Sequence, residues 1–486
     1  MGKYAVPEEI RNKKPRGTVV KVLHGKYYVY EQKNIKDPET GKWKIKSGKM
    51  IGSIVEGIGF IPNSNYVDST KTTTMDFGEY FLTSQITKEI LENLKQCFNV
   101  KDAINIYNLA LIHFINGFTY IKNIKPIYDL SYLSMKYPTL SLSEYIVSNL
   151  LHDLGCHTTQ IEDFENLLIN KSTKQFAVDG HAIMCTSDNN ALAEEGNKKL
   201  KFKEDQINLL MAYDINTNAP VLSRIYAGGT MDNVAFSDLF ERKNFENTLF
   251  IIDKGFNSPK NLKLCSENNN KYIIPLKVNM KSSRAITQNY NFKNRFVYEK
   301  GKSNALIEYK VHKEKGVTVY LFKDVNENAL ECTNYASKIG TSEKYTQEKY
   351  EKLKESFGTI ILQTNLEKEA REIYDLYKKR WLIETFYDYY KNKLDANTLH
   401  SQDYYVTQGM SFVLLITSLI HQKFVEETKR FKKSVTSILL DTRFLKLNYK
   451  NGKWALENLS KNHYEIFNQL GISLDEEMKY LNSLKN

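Results

Sequence analysis

Between residues 174 and 256 the chain alternates elements in an order that few folds accept. KQFAVDGHAIM (174–184) reads as a strand, QINLLMAYDI and APVLSRIYAGG (206–229) as a hairpin around the turn NTN, VAFSDLFERKN as a short helix, and TLFIIDKGF (248–256) as a buried strand. The order is strand, strand, strand, helix, strand. The first and last strands each carry an aspartate after an apolar run, FAV before Asp179 and FII before Asp253. An unpaired carboxylate carried into a buried strand is costly, so something cationic must offset it.

This order matches the start of a ribonuclease-H-like fold, an α/β core in which the first and fourth strands lie side by side. Asp179 and Asp253 would then be neighbours. Asp188 and Asp214 compete for the first position, but Asp188 lies in the turn-like TSDNN and Asp214 at the outer end of a hairpin strand, so Asp179 is preferred. Residues 257–356 interrupt the layout with strand-like pieces such as KYIIPLKV, NRFVYEKG, ALIEYKVHKE and GVTVYLFK. GTIILQTN then returns as a strand, followed by LEKEAREIYDLYKKRWLIETFYDYYKNKL as one long helix. The catalytic core is therefore assigned to 171–256 and 357–425, a β-rich insertion to 257–356, and a C-terminal helical tail to 426–486.

On the long helix, Tyr377, Arg380, Glu384 and Lys391 fall at offsets of 3, 7 and 14. At about 100° per residue they share an arc of roughly 60°. A core-facing stripe should be apolar, whereas this one mixes a carboxylate, two cations and a phenol. An exposed face with an Arg380–Glu384 ion pair is the simplest account. Together with two strand aspartates, the stripe reads instead as a metal-binding carboxylate flanked by phosphate grips. Asp179, Asp253 and Glu384 would hold two Mg²⁺ ions through oxygen, with Mn²⁺ able to substitute, as suits phosphodiester cleavage and transfer. Arg380 and Lys391 would hold DNA phosphates, and Tyr377 would donate to a phosphate or stack on a base.

The formal net charge of +11 favours a polyanionic partner. Residues 1–50 concentrate the excess, with thirteen Lys and Arg against five acids. Residues 1–65 read as a small basic β module, in which Lys26, Tyr28 and Tyr30 share one face of a strand and could meet duplex DNA. Residues 70–170 have helical spacing and read as a helical domain. His152, Cys156 and His157 lie close together without a fourth ligand, so ordinary packing is expected there. The five cysteines form no CxxC pair and are expected as free thiols. The start lacks the apolar core of a signal peptide, and the longest apolar run, FVLLI, is far below the roughly 18 residues a bilayer needs. A cytoplasmic, nucleoid-associated protein without membrane contact is expected.

Tyr377, Arg380, Glu384 and Lys391, with gaps of two, three and six residues, resemble the Tyr-Arg-Glu-Lys signature of bacterial insertion-sequence transposases of the IS-four type, within the DDE superfamily. Asp253 in IIDKGF resembles the family's second aspartate and Asp179 in FAVDGH its first. The 131 residues from Asp253 to Glu384 are similar to families with a β-rich domain inserted there. The resemblance covers about residues 174–425. It implies a transposase that cuts the ends of an element, often through a DNA hairpin, and joins the freed 3′-hydroxyl to target DNA. Paired cleavage of two ends implies a homodimer on double-stranded DNA. The alternatives are a nuclease of the same fold and a catalytically retired transposase acting as a DNA-binding regulator, the latter disfavoured by the complete acidic set.

Overall fold

In the computed structural model the described residues are 6–36, 41, 43–63, 73–187, 189–196, 205–278, 280–301, 303–314, 316–396, 398–399, 401, 403–450 and 452–483. The chain divides into two compact units, one of Met1–Gln85, Ile121–Ser143 and Phe431–Asn486, the other of Ile86–Tyr120 and Glu144–Arg430. The helical stretch that follows residue 77 is thus shared between the two. Asp188 lies outside the described residues.

The first unit opens with a four-stranded antiparallel sheet, β1 (Thr18–Leu23), β2 (Lys26–Lys36), β3 (Trp43–Val55) and β4 (Gly59–Pro62), in sequential order. Val29, Ile51 and Ile54 turn inward, a register shift between β2 and β3 at Ile51 bringing Ile51 and Ile54 to one face, and Ile10 of a short preceding helix joins them. Strand β5 (Thr73–Asp76) follows.

The second unit is built on one sheet. Its strands are β6 (Gln175–Cys185), β7 (Glu194–Glu195), β8 (Asp205–Asp214), β9 (Ala219–Ala227), β10 (Leu249–Ile252), β11 (Lys271–Pro275), β12 (Asn294–Lys300), β13 (Ser303–Glu314), β14 (Val317–Asp324), β15 (Thr359–Thr364) and β16 (Thr398–Leu399). The order is β12-β13-β14-β15-β11-β10-β6-β8-β7, with β9 on β8 and β16 on β6. Strands β6, β10 and β11 are parallel, and β8, β9 and β15 run antiparallel to their neighbours in this central part. The first and fourth strands of the sequence-read order, β6 and β10, are therefore direct partners. Residues 257–356 do not stand apart from the sheet. Strand β11 is central, and β12 to β14 extend the same sheet beyond β15.

Parity then decides what each face receives. Phe176 and Val178 of β6, with Phe250 and Ile252 of β10, enter a core capped by Ala235, Phe236 and Leu239 of the helix Asp232–Arg242. The intervening residues face the other way. There the helix Trp381–Asn392 buries Ile383, Phe386, Tyr387 and Tyr390, a stripe at helical spacing, with the Phe386 ring 5.4 Å from that of Tyr213 on β8.

Two sequence expectations change. The single long helix is two helices, Ala370–Lys379 and Trp381–Asn392, joined at Arg380. The joint tightens because Arg380 N donates to Tyr377 O and Ile383 N to Arg380 O, three-residue bonds in place of four-residue ones. The tail after 426 is also not wholly helical. Strands β17 (Lys446–Lys450) and β18 (Lys453–Glu457) form a hairpin that pairs with β5. Gly452 takes a φ of +80° beside the hairpin, and Leu447, Tyr449 and Trp454 supply the buried alternation.

The helix Tyr404–Thr428 packs against the helices Val100–Asn116 and Glu144–Cys156. Among the described residues no helix is long and apolar enough to cross a membrane.

Candidate active site

Strand β10 pairs with β6 in a parallel register that sets Ile251 beside Ala177 and Ile252 beside Val178. Asp179 is the next residue of β6, and Asp253 is the first residue beyond β10, opening a short 3₁₀ turn at 254–256. Both follow residues of the helix-capped face by one position, so both belong to the face crossed by the helix Trp381–Asn392. Glu384 lies in the first turn of that helix.

Arg380, at the joint between the two helices, stands among these acids. Its Nη2 is 2.7 Å from Glu384 Oε1 and its Nη1 is 4.0 Å from Asp179 Oδ2. Its side chain is 14% exposed, against 35% for Glu384 and 24% for Asp179. Burial opposes the charge of Arg380, but Tyr377, Asp179, Glu384 and Asp253 outweigh it and hold its pKa above the ordinary value. Burial likewise pushes the Tyr377 phenol up, with Arg380 opposing and Asp253 and Glu384 adding to the rise. The Arg380 guanidinium carbon lies 5.9 Å from the Tyr377 ring centre.

The ion pair of the simplest account is therefore present, yet it is mostly enclosed and shared with a strand acid. The expected convergence of three acids into a ligand cluster is not. Among the described residues no group of three His, Cys, Asp or Glu could hold one ion. Asp179, Asp253 and Glu384 are gathered around a guanidinium instead, because carboxylates brought to one apolar-walled face repel unless a cation stands between them. All three offer only oxygen, the donor that Mg²⁺ takes. In donor chemistry they fit, on condition that Glu384 exchanges Arg380 for an ion.

Lys391 lies seven residues beyond Glu384 on the same helix, half-buried, and among the described residues makes no ion pair with the three acids. Asp214 is excluded from the site by its own bonds. It is buried at the far end of β8, accepting from the Thr173 N–H and hydroxyl at 2.7 Å and from Asn216 N at 2.9 Å. In the first unit, Lys26, Tyr28 and Tyr30 do share the face of β2 opposite Val29. Lys21 of β1 lies 4.9 Å from the Tyr30 ring centre, and Lys26 is exposed. His152 Nδ1 is 3.6 Å from Cys156 Sγ, and all five cysteines are free.

Three neighbours of the acids escaped the sequence reading. Tyr387 donates its hydroxyl to the backbone carbonyl of Asp179 at 2.9 Å. His181, two residues past Asp179 on the same face of β6, has its ring 5.0 Å from that of Tyr387. Asp232 accepts from Asn208 Nδ2 at 3.1 Å and adds to the charge felt by Tyr387. Tyr387 was legible in one respect, since a residue three beyond Glu384 shares its helix face.

A family model described as Transposase DDE domain matches residues 171–420, the span that contains Asp179, Asp253 and Glu384. No curated protein matches. Six solved chains match. One of them, a cryo-EM structure of the piggyBac transposase synaptic complex with hairpin DNA, is 11% identical over 77% of this chain and 82% of that one, with a TM-score of 0.40. With a match over more than half of its 486 residues, the chain belongs to the family of transposases that carry a DDE domain.

Proposed function

We propose that this protein is an insertion-sequence transposase of the IS-four type, with a ribonuclease-H-like core, that cuts the ends of its element and joins them to target DNA. The observation that carries the reading is the parallel β6–β10 register, which brings Asp179 and Asp253 to adjacent positions on the face crossed by the Glu384 helix. Asp179, Asp253 and Glu384 would hold two Mg²⁺ ions. Bound there, the ions supply activation of the attacking water or 3′-hydroxyl and stabilisation of the leaving oxygen.

The chain's own groups prepare the site. Arg380 keeps Glu384 and Asp179 together before substrate arrives, then turns its donors to a DNA phosphate. Tyr377 keeps its proton, because burial raises its pKa, and so remains a donor to a phosphate oxygen. Lys391 grips the backbone further along. The outer face of the small sheet, with Lys21, Lys26, Tyr28 and Tyr30, suits phosphates and base or sugar surfaces. Concerted cutting of two ends calls for a homodimer on DNA.

The test is cleavage and joining of labelled duplexes made from the DNA flanking the gene, with Mg²⁺, beside Glu384→Gln. Nicked and joined products from the wild type alone are expected. Specific binding without cleavage in Mg²⁺ or Mn²⁺ would instead favour a DNA-binding protein without catalysis, and nicks without joined products a nuclease.

A further inference from the structure

A hydrogen bond ties the helix that carries Glu384 to the strand that carries Asp179. Tyr387 lies one turn beyond Glu384 on the buried side of the helix, 5% exposed. Its hydroxyl donates to the carbonyl oxygen of Asp179 itself, at 2.9 Å. The ring packs on His181, the next residue of β6 on that face, and Phe386 fixes the same turn of helix on Tyr213. The apolar contacts hold the helix against the sheet, but apolar packing tolerates small slides that a directed bond does not. A slide of one ångström is enough to spoil a metal-binding constellation.

We propose that Tyr387 is a positioning residue that sets where the Glu384 carboxylate stands relative to Asp179, and so controls the affinity of the site for divalent cations. The inference rests on the assignment of Asp179 and Glu384 as metal-holding acids. Tyr387 touches neither substrate nor ion in this role. Loss of its hydroxyl leaves the apolar stripe of Ile383, Phe386 and Tyr390 in place.

The experiment is calorimetric titration of Mn²⁺ into the full chain without DNA, for wild type, Tyr387→Phe, Glu384→Gln and Tyr390→Phe. Tyr390 is an equally buried phenol on the same helix. Wild type and Tyr390→Phe should bind alike, Glu384→Gln should lose binding, and Tyr387→Phe should bind at least fivefold more weakly. In cleavage assays, the Mg²⁺ concentration for half-maximal rate should rise by a similar factor in Tyr387→Phe, while DNA affinity stays within twofold. Incorporating 4-aminophenylalanine at 387, which restores an N–H donor, should recover the wild-type affinity. Should Tyr387→Phe not fold, His181→Ala, which removes the ring that steadies the phenol, should weaken Mn²⁺ binding at least twofold. Wild-type Mn²⁺ affinity in a folded Tyr387→Phe, with Glu384→Gln impaired, would overturn the role of Tyr387 alone. Equal Mn²⁺ binding by wild type and Glu384→Gln would overturn the metal assignment beneath it.

Discussion

Arg380 binds Glu384 at 2.7 Å across one turn of the chain, and the same guanidinium reaches to 4.0 Å from Asp179 on β6. A helix acid and a strand acid thus share one cation, so any ion or phosphate that enters must compete with an internal pair. In the proposed function, Arg380 would link nucleic-acid contact to the state of the acids.

Replacing Arg380 by Ala should have two effects. DNA affinity should drop, and the slope of its logarithm against that of salt concentration should shrink by about one, as for one lost phosphate contact. Without divalent cations the folded protein should lose about 2 kcal/mol, the scale of a charged hydrogen bond. Mg²⁺ should then raise the melting temperature of the variant more than that of the wild type. An unchanged salt slope would remove Arg380 from the DNA contact.

Glu165 sits fully buried between two cations. Arg224 of β9 clasps it through two bonds of 2.5 and 2.6 Å, and Lys243 Nζ lies 3.3 Å away. Burial lowers the pKa of Lys243, while Glu165 pulls it back. Glu165→Ala would leave two enclosed cations facing each other and should cost about 3–5 kcal/mol in chemical unfolding. A loss below 1 kcal/mol would show that the pocket admits water freely.

Acid should destabilise the second unit through His113. Its ring is buried, its Nδ1 accepts from Thr119 N at 3.1 Å, and burial lowers its pKa to about 4 from an ordinary 6.5. The unfolded chain takes up the proton first, so this contribution is complete above about pH 6.5 and is lost as pH falls towards 4, about 3 kcal/mol in total. Urea midpoints measured from pH 7 to 4 should fall less steeply for His113→Gln. Identical slopes would mean that His113 does not carry the effect.

Two glycines let helices touch backbone to backbone. A Cβ at Gly155 would lie 2.0 Å from Tyr405 O, and one at Gly409 would lie 2.0 Å from Leu151 O. Ala at either position should destabilise by about 1–3 kcal/mol by forcing the helices apart. Because one separation relieves both clashes, the double variant should cost less than the two single costs added. Simple additivity in thermal unfolding would show that the contacts yield independently.

The sequence by itself determined the elements whose signals are local. Apolar runs specified β6 and β10, and period-two alternation specified the face of β2 that holds Lys26, Tyr28 and Tyr30. The strand order from 174 to 256 was also legible, because each turn and helix in it has its own residues. The dipeptide Asn451-Gly452 is an equally local turn signal in the sequence. Tertiary structure alone decided the rest. Whether β11 to β14 form a separate body or widen the central sheet depends on pairing between residues up to 93 apart, such as Tyr272 N with Asn365 Oδ1, which no local pattern encodes. The break at Arg380 is also invisible in helical periodicity, since Arg380 keeps helical angles and only the hydrogen-bond spacing changes. The sequence could align Arg380 and Glu384 on one helix, but Asp179 lies about two hundred residues earlier. Its meeting with Arg380 and with the Tyr387 hydroxyl follows from the register of β6 with β10 and the packing of one helix across them.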